Sequence, residues 1–389
     1  MKEISKKVQA LKPSGIRKFF DLASQMEGVI SLGVGEPDFD TPWHISEYAI
    51  QAITNGKTHY TANRGLIELR KAIAEFHRVR YNQDYNPEDE IVVTVGGSEG
   101  IDVAMRALID PGDEVICLDP NYVAYGPTIE LAGGKIVTIH LEEKNDFKLL
   151  PEDLKKAITP NTKAMILNFP SNPTGGVMTY EDYEKLVPII KESGIFVISD
   201  EIYAELSFDQ EFASLAQFKE VKDQIIVING FSKAFAMTGW RLGYILSNKE
   251  LSAQLTKIHQ YIIMSAPTAA QYAAIEALRH GLPDVLEMKE DYLNRRNLIC
   301  SRLNRMGLKT NTPHGTFYVF PNISKTGMTS DEFCEKLLDE EKVACVPGTA
   351  FGESGEGFIR ISYAYSLEHI KQACDRMEHF LKNHPVRES

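Results

Sequence analysis

Residues 225–244 read IIVINGFSKAFAMTGWRLGY, and this stretch decides the fold class. It opens with four apolar residues, 225–228, and such a run without polar alternation is typical of a parallel strand buried on both faces. Lys233 follows in a turn of small residues, and Arg241 comes shortly after it. A lysine packed in such a turn loses solvation, which lowers its pKa and makes it an amine nucleophile. An arginine nearby supplies a fixed cation for a phosphate.

Composition limits the classes of partner. The chain has 389 residues, 43% of them hydrophobic, which is enough for a large core shared by about two or three domains. Its 42 Lys and Arg residues face 54 Asp and Glu residues, a net charge of −12, so we expect no nucleic-acid partner. No stretch approaches the roughly 18 apolar residues of a membrane span, and residues 1–7 lack the apolar core of a secretory signal. We therefore expect no membrane partner and a cytoplasmic location.

Cysteine and histidine patterns give no sign of a metal or redox centre. The five cysteines are odd in number and scattered, without a C-x-x-C pair. Reduced cysteines packed in the core are the preferred interpretation. The histidines lack HExxH or any other ligand spacing, and we expect no structural metal.

Short apolar runs alternate with longer amphipathic segments, which indicates an α/β fold with a mostly parallel sheet. The predicted strands are 90–95, 114–118, 135–139, 164–168, 195–199, 225–229 and 243–247. The predicted helices of this part include 65–81, 98–108, 180–193 and 269–280.

After residue 283 the pattern of predicted helices and strands changes to that of a smaller α+β unit. It consists of a long charged helix, three short strands and a closing amphipathic helix, predicted at 285–306, 316–320, 343–346, 358–362 and 367–382. We expect a large domain at 43–284 and a small domain formed by 1–42 together with 285–389.

Ligands of open parallel sheets gather beyond the carboxyl ends of the strands, so the residues that follow each run carry information. Gly97 and Ser98 lie in a glycine-rich turn that opens a helix, where free amides can hold a phosphate. A purely structural turn is the alternative. Tyr122 follows the second strand, and its ring either stacks on a flat cofactor or belongs to the core.

Two more strand ends carry polar side chains. Asn172 lies between two prolines that restrain its backbone more than a surface turn requires. Asp200 ends an apolar run, and a buried carboxylate there needs a cationic partner, unless it caps a helix. A protonated pyridine nitrogen is the functional candidate for that partner, and Tyr203 would then lie near the same ligand.

Together these segments resemble the class I and II aminotransferases of pyridoxal-phosphate fold type I, over nearly the whole chain. The matching motifs, in order, are GVGEPDF (33–39), HYT (59–61), GGS (96–98), NPTG (172–175), DEIY (200–203), SK (232–233) with Arg241, and FIRIS (358–362). Their order and spacing are far more specific than any one motif.

The resemblance implies pyridoxal 5′-phosphate as the cofactor and assigns the catalytic residues. Lys233 would bind the cofactor covalently and carry the proton, while Asp200 would pair with the pyridine nitrogen. Tyr203 would bond the phenolic oxygen together with Asn172. The fold implied is a seven-stranded, mostly parallel sheet in a large domain, accompanied by a smaller α+β domain.

Further cofactor contacts are implied around the phosphate and the ring. Gly97, Ser98 and Arg241 would hold the phosphate, with Ser232 next to the lysine. Tyr122 matches the ring-stacking position. Tyr60 matches a tyrosine that reaches the phosphate of the neighbouring subunit, so a homodimer with shared active sites is implied. Gly230 departs from the many relatives that have a phosphate-binding serine there.

The implied reaction is a ping-pong transfer of an amino group between an L-amino acid and a 2-oxo acid such as 2-oxoglutarate. Arg360 would bind the substrate α-carboxylate, with the Gly35 backbone and Asn172 beside it. Ser98 stands where relatives specific for aspartate place a lysine, and the apolar segment 261–267 suits alanine, aromatic or other neutral donors. Arg17, in the segment 14–17, is the alternative that would bind a distal carboxylate and favour aspartate.

Other functions share these motifs. A carbon–sulfur β-lyase or an aminocyclopropane-carboxylate synthase of the same fold type differs mainly in the later steps of the reaction. A transcriptional regulator with an aminotransferase-like domain would need a basic helix-turn-helix, which the segment before residue 30 leaves no room for.

Overall fold

The structure is a computed structural model that describes residues 2–11 and 26–386. The predicted pocket segment 14–17, with Arg17, lies outside these residues. All five cysteines are buried and free.

The described strands and helices follow one another in an alternating pattern. The strands are β1 (Ile30–Ser31), β2 (Ile91–Thr94), β3 (Glu114–Asp119), β4 (Lys135–His140), β5 (Thr162–Asn168), β6 (Phe196–Asp200), β7 (Ile225–Gly230), β8 (Gly243–Leu246), β9 (Tyr318–Val319), β10 (Val343–Ala344), β11 (Val346–Pro347) and β12 (Ile359–Ser362). The helices are α1 (Lys6–Ala10), α2 (Trp43–Thr54), α3 (Ile67–Tyr81), α4 (Gly96–Leu108), α5 (Tyr125–Ala132), α6 (Pro151–Ala157), α7 (Tyr180–Ser193), α8 (Lys249–Ile262), α9 (Thr268–His280), α10 (Leu282–Arg305), α11 (Ser330–Glu341) and α12 (Leu367–Asn383).

A seven-stranded sheet forms the centre of the molecule, in the order β2-β8-β7-β6-β5-β3-β4. Strand β8 runs antiparallel to β2 and β7, and the other neighbours are parallel. This confirms the predicted mostly parallel sheet of seven strands, with strand ends within two residues of prediction. All six residues of β7 are buried, as its uninterrupted apolar run predicts.

Local sequence signals explain where the helices covering this sheet start and stop. Helix α7 starts with a capping box, in which the Thr179 side chain accepts from the Asp182 amide and the Asp182 side chain accepts in return. It stops at Gly194, whose φ of 69° suits glycine. The predicted bounds 180–193 are therefore confirmed, because both ends carry strong signals.

A second layer of short strands lies beyond the central sheet. Strands β11, β12 and β9 form an antiparallel sheet in that order, while β1 pairs in parallel with β10. Here the prediction of one strand at 343–346 is wrong. Residues Val343 and Ala344 pair with the N-terminal strand, and the chain changes sheets at Cys345, after which Val346 pairs with Arg360. The signal of one apolar run cannot reveal that its two halves have different partners.

The carboxyl ends of the parallel strands meet at one edge. Asn168 at the end of β5 is in register with Asp200 at the end of β6, and Asp200 is in register with Ile228 of β7. The polar residues that follow these strands are therefore neighbours in space, as expected for a ligand-binding edge.

None of the helices in the described ranges, 2–11 and 26–386, has the length and apolar character needed to cross a membrane. No group of three or more His, Cys, Asp or Glu side chains in the same ranges is arranged to hold a metal ion.

Candidate active site

A cavity of about 300 Å³ opens at this edge of the sheet. Of the predicted site residues that the structure describes, it brings together all except Tyr60 and the segment 261–267, which was predicted to border the substrate pocket and does not line the cavity. The residues lining it are Gly35, Gly97, Ser98, Ile101, Tyr122, Tyr125, Asn168, Asn172, Asp200, Ile202, Tyr203, Ser232, Lys233, Thr238, Arg241, Tyr318 and Arg360.

Lys233 enters the cavity from the turn that follows β7. Its Nζ donates a hydrogen bond to the Gly35 carbonyl oxygen at 2.6 Å, which ties the turn to the N-terminal part of the chain. Burial lowers the pKa of Lys233 to about 8, with Arg360 and Arg241 also lowering it and Glu36 and Asp200 opposing the shift. Roughly a tenth of the amine is therefore unprotonated at pH 7, far more than for a solvated lysine, and only the unprotonated form acts as a nucleophile or base.

Asp200 ends β6 and is 6% exposed. Its Oδ2 accepts from the Tyr125 hydroxyl at 2.6 Å and its Oδ1 from the Ile202 amide at 3.2 Å. Burial raises the pKa of Asp200 to about 6 although both hydrogen bonds favour the ionised form. The short 3₁₀ helix that follows, Ala204–Leu206, is preceded by Tyr203 and not by Asp200, so the carboxylate does not cap it.

Arg360 projects from β12 and is 3% exposed. Its Nη1 donates to Asn172 Oδ1 at 2.9 Å and its Nη2 to the Gly33 carbonyl oxygen at 2.5 Å, while the buried Nε has no partner. Burial lowers its pKa. Within the described part of the chain no carboxylate forms an ion pair with it, which is costly for a buried guanidinium unless a ligand supplies the charge.

The N-terminus of α4 lies against the guanidinium of Arg241. Gly96 has a φ of 75°, and a Cβ built on it would lie 2.7 Å from Nη2 of Arg241. Arg241 itself has a left-handed φ of 52°, and its Nη1 donates to the Thr238 carbonyl oxygen at 2.9 Å. The free amides at the N-terminus of a 13-residue helix and an adjacent guanidinium form an anion site.

Aromatic and amide side chains complete the walls. Tyr122 is partly buried, and its ring lies edge-on to Tyr125 at 5.5 Å between centroids. The hydroxyls of Tyr203 and Tyr318 are 2.9 Å apart. Asn168 Oδ1 accepts from the amide of Asn172 at 3.0 Å, which holds the loop after β5 over the end of that strand.

Tyr60 is the predicted site residue that does not reach the cavity. Its side chain is 82% exposed on the loop before α3. It is not among the described residues that line the cavity of its own chain.

Several cavity residues were missed by sequence analysis. Tyr125 lies inside α5 and Tyr318 in the two-residue strand β9, and neither belongs to a motif. Ile101, Asn168, Ile202 and Thr238 were also missed. No local signal marks Tyr125 or Tyr318, because each joins the site through a hydrogen bond to a residue far away in the sequence.

The cavity fits pyridoxal 5′-phosphate in charge and in chemistry. Asp200 is a buried carboxylate without a Lys or Arg ion pair among the described residues, so a protonated ring nitrogen would satisfy it. The anion site beside Arg241 would hold the phosphate, and Lys233 is an amine that can bond an aldehyde. These three groups line one cavity.

Comparisons with known proteins identify the family. Residues 27–377 match the model of aminotransferase class I and II. The putative aminotransferase YugH of Bacillus subtilis is 50% identical over 97% of this chain and 98% of its own, and the aspartate aminotransferase of Pyrococcus abyssi is 46% identical over the same shares. The crystal structure of the aromatic aminotransferase from Pyrococcus horikoshii superimposes with a TM-score of 0.91 at 42% identity, covering 96% of this chain and all of that one. The chain therefore belongs to the class I and II aminotransferase family, and it is a pyridoxal-phosphate-dependent aminotransferase of fold type I.

Proposed function

We propose that this aminotransferase takes neutral L-amino acids, alanine or aromatic donors, and passes the amino group to a 2-oxo acid such as 2-oxoglutarate in a ping-pong reaction. The observation that carries the proposal is Arg360, a buried guanidinium with no carboxylate partner in the described structure, in the same cavity as Lys233. A substrate carboxylate bound there would place its Cα within the cavity that the lysine amine enters.

Arg360 acts as the carboxylate-binding group. Two of its N–H groups are committed to Asn172 and Gly33, so the guanidinium is oriented before a substrate arrives. The remaining donors, among them the unpartnered Nε, are available for charge-assisted bonds of roughly 1.5 to 3 kcal/mol each. Binding in two bonds would fix which bond of the substrate Cα faces the base.

Lys233 acts as the base that removes the proton from the substrate Cα and later returns one. Its pKa of about 8 matches this task near neutral pH. When bound, pyridoxal 5′-phosphate supplies an electron sink that stabilises negative charge on the substrate Cα. Asp200 keeps the ring nitrogen protonated, and Tyr203 and Asn172 bond the phenolic oxygen.

The remaining cofactor contacts divide between phosphate and ring. Gly97, Ser98 and Arg241 bind the phosphate at the start of α4, with Ser232 beside the lysine, and Tyr122 stacks on the ring. Gly35 lines the same cavity as Arg360, and its backbone would lie beside the substrate carboxylate.

Aspartate is a second candidate donor. The Pyrococcus abyssi relative that is named an aspartate aminotransferase is 46% identical to this chain. Against it, the cations lining the described cavity are Lys233, Arg241 and Arg360, and each already has a role. A distal carboxylate would thus need a group from outside the described residues or from a second subunit.

We also propose that the enzyme is a cytoplasmic homodimer in which Tyr60 of one subunit completes the phosphate site of the other. The exposed position of Tyr60 supports this arrangement. Five free, buried cysteines fit a reducing compartment, where disulfides rarely form. Cell fractionation with an antibody against the chain tests the location.

Borohydride trapping and a donor panel test the proposed chemistry. Purified protein loaded with pyridoxal 5′-phosphate is reduced with borohydride and digested, and the labelled peptide should contain Lys233, with no label in Lys233→Ala. A panel of amino donors with 2-oxoglutarate and with pyruvate should give the highest kcat/KM for neutral or aromatic donors. A preference for aspartate would overturn the proposed donor class and leave the lysine assignment standing.

The matched test of Arg360 compares Arg360→Lys with the wild type across the same panel. A lysine keeps the positive charge but cannot bind a carboxylate through two parallel hydrogen bonds as a guanidinium does. KM should therefore rise for every donor by about 10- to 100-fold. An increase for only some donors would contradict a role in binding the carboxylate that all of them share.

A further inference from the structure

Tyr318 contacts two of the proposed binding groups at once. Its hydroxyl lies 2.9 Å from the Tyr203 hydroxyl, and its ring centroid lies 4.4 Å from the guanidinium carbon of Arg360. The side chain is 1% exposed. It also packs against Gly35, where an added Cβ would lie 2.3 Å from the Tyr318 oxygen, so the hydroxyl cannot move in that direction.

The ring faces a charge for which the described structure provides no carboxylate partner. Arg360 has no carboxylate partner among the described residues, and its Nε has no hydrogen-bond acceptor. A second ring, that of Phe351, has its centroid 4.7 Å from the same guanidinium carbon. The negative face of an aromatic ring attracts a guanidinium, and the attraction grows as water is excluded. The two rings therefore hold the guanidinium in place without occupying the N–H groups that a carboxylate needs.

The hydroxyl acts on Tyr203. Two phenols that share one hydrogen bond use one proton in it, so a second proton stays available for another acceptor. Tyr203 lines the cavity, and if Tyr318 donates to it, the Tyr203 proton is left to point at a ligand.

We propose that Tyr318 is a positioning residue that orients both groups, holding Arg360 through its ring and Tyr203 through its hydroxyl. The inference rests on the proposed roles of Arg360 and Tyr203. It makes one side chain responsible for the relative placement of the carboxylate-binding and the cofactor-binding groups, and its two roles are separable by substitution.

A double-mutant cycle tests whether the Tyr318 hydroxyl acts on Tyr203. The measured quantity is the dissociation constant for the binding of pyridoxal 5′-phosphate to apo-protein. Tyr318→Phe should weaken cofactor binding by about three- to tenfold, the effect of one neutral hydrogen bond. In the Tyr203→Phe background the same substitution should change the constant by less than about twofold, because the hydroxyl then has no phenol to orient. Additive effects of the two substitutions would overturn this half of the proposal.

Binding of 3-phenylpropionate, a carboxylate without an amine, tests the ring by calorimetry on the holoenzyme. Tyr318→Leu and Phe351→Leu should each weaken its binding by about tenfold, as expected for a lost cation–π contact in a desolvated site. Tyr318→Phe keeps the ring and should leave the constant within about twofold of the wild type. Equal losses for Tyr318→Phe and Tyr318→Leu would contradict the role of the ring.

Tyr363→Phe is the matched control. Tyr363 is a fully buried tyrosine whose hydroxyl donates to the Thr316 carbonyl oxygen at 2.8 Å. Thr316 is only two residues away from Tyr318 in the sequence. It should lower thermal stability and leave both dissociation constants unchanged, whereas changes in them would assign the effects of Tyr318 to general loosening. If wild-type protein fails to bind the cofactor covalently, the proposed function fails. If the wild type binds the cofactor covalently and the Tyr318 variants have the same two dissociation constants as the wild type, the positioning role of Tyr318 is wrong and the proposed function stands.

Discussion

The chemistry at the residue scale depends on the protonation of Lys233. Burial brings its pKa from 10.5 to about 8. We therefore expect the rate at which apo-protein is labelled by pyridoxal 5′-phosphate to rise with pH and level off above a midpoint near 8, because only the unprotonated amine attacks the aldehyde. Stopped-flow absorbance between pH 6 and 11 measures this rate. A midpoint near 10.5, the value of a solvated lysine, would show that the amine is not desolvated.

Asp200 gives the second expectation at this scale. Its pKa is raised by burial and lowered by the Tyr125 hydroxyl, so Tyr125→Phe removes a lowering influence and raises the pKa further. The carboxylate must be ionised to pair with a cation, so the acid limb of the kcat/KM profile should move to higher pH. A charge-assisted bond predicts a shift of about one to two pH units.

Steady-state kinetics from pH 5 to 9 with one amino donor measures that limb. Tyr183→Phe serves as the control, because Tyr183 is equally buried in α7 and has no bond to Asp200. An unshifted acid limb in Tyr125→Phe, with activity lost uniformly at all pH values, would mean that Tyr125 acts on packing and not on the carboxylate.

At the scale of elements, the phosphate site depends on the contact of β8 with the start of α4. A Cβ built on Gly243 would lie 2.7 Å from the Gly96 carbonyl carbon and from the Gly97 amide nitrogen. Gly243→Ala should therefore displace the amides that face the phosphate. We expect cofactor affinity to fall by at least about tenfold and stability by about 1 to 3 kcal/mol, as for other overpacked sites.

Equilibrium titration of apo-protein with cofactor, together with urea unfolding, measures both effects. Gly239→Ala is the matched control, since a Cβ at that position meets no atom within 4 Å. Normal cofactor affinity in Gly243→Ala would mean that α4 tolerates displacement and does not bind the phosphate through its first amides.

The elements also show what the sequence could predict. Six strands of the central sheet were predictable because each is a short apolar run that is mostly buried. The edge strand β4 is mostly exposed, and its three apolar residues were enough to predict it. Helix α7 was predictable because its ends carry a capping box and a left-handed glycine. Helix α8 was missed, although its apolar residues recur at helical spacing and Asn248 caps its start. Pairing partners are a different matter. The split of 343–346 between two sheets depends on contacts with residues about 300 positions away, at Ile30, and no local pattern carries that information.

The residues of the site also fall into those that the sequence could predict and those that it could not. Lys233 and Asp200 stand in motifs at the ends of parallel strands, so they were predictable once those strands were assigned. Arg360 lies inside β12 of an antiparallel sheet, and only the family resemblance pointed to it. Tyr125 and Tyr318 were not, because each supports a motif residue from a different part of the chain. Supporting side chains of this kind can be recognised only when the fold has placed them.

At the scale of the whole molecule, the described residues include an apolar surface that is exposed to solvent. We define the apolar patch as Tyr60 together with residues 261–264, in which Tyr60 is 82% and Tyr261 88% exposed. Its two segments are tied together, since Asn63 Nδ2 donates to the Met264 carbonyl oxygen at 2.8 Å and Thr268 Oγ1 to the His59 carbonyl oxygen at 2.8 Å. Aromatic side chains such as these are enriched in protein interfaces. A second copy of the chain is the occupant we propose.

Charge on the patch should separate the subunits. Tyr261→Glu should sediment at 43.7 kDa, whereas the wild type sediments at about twice that mass. The control is Ile136→Glu, which places the same charge on a 38% exposed residue of β4, at the opposite edge of the sheet from β2. A wild type that stays at 43.7 kDa at micromolar concentration would contradict the dimer.

Subunit mixing then tests whether the two subunits share active sites. Lys233→Ala leaves Tyr60 intact, and Tyr60→Leu leaves Lys233 intact, so each variant alone has two defective sites per dimer. If Tyr60 serves the neighbouring subunit, a mixed dimer contains one site with both residues intact and one with neither. Refolding the two variants together at equal concentrations should restore about a quarter of the wild-type activity, because half of the dimers are mixed and each has one working site. If Tyr60 instead serves its own subunit, no site in a mixed dimer gains a missing group, and the activity stays at the average of the two variants measured separately.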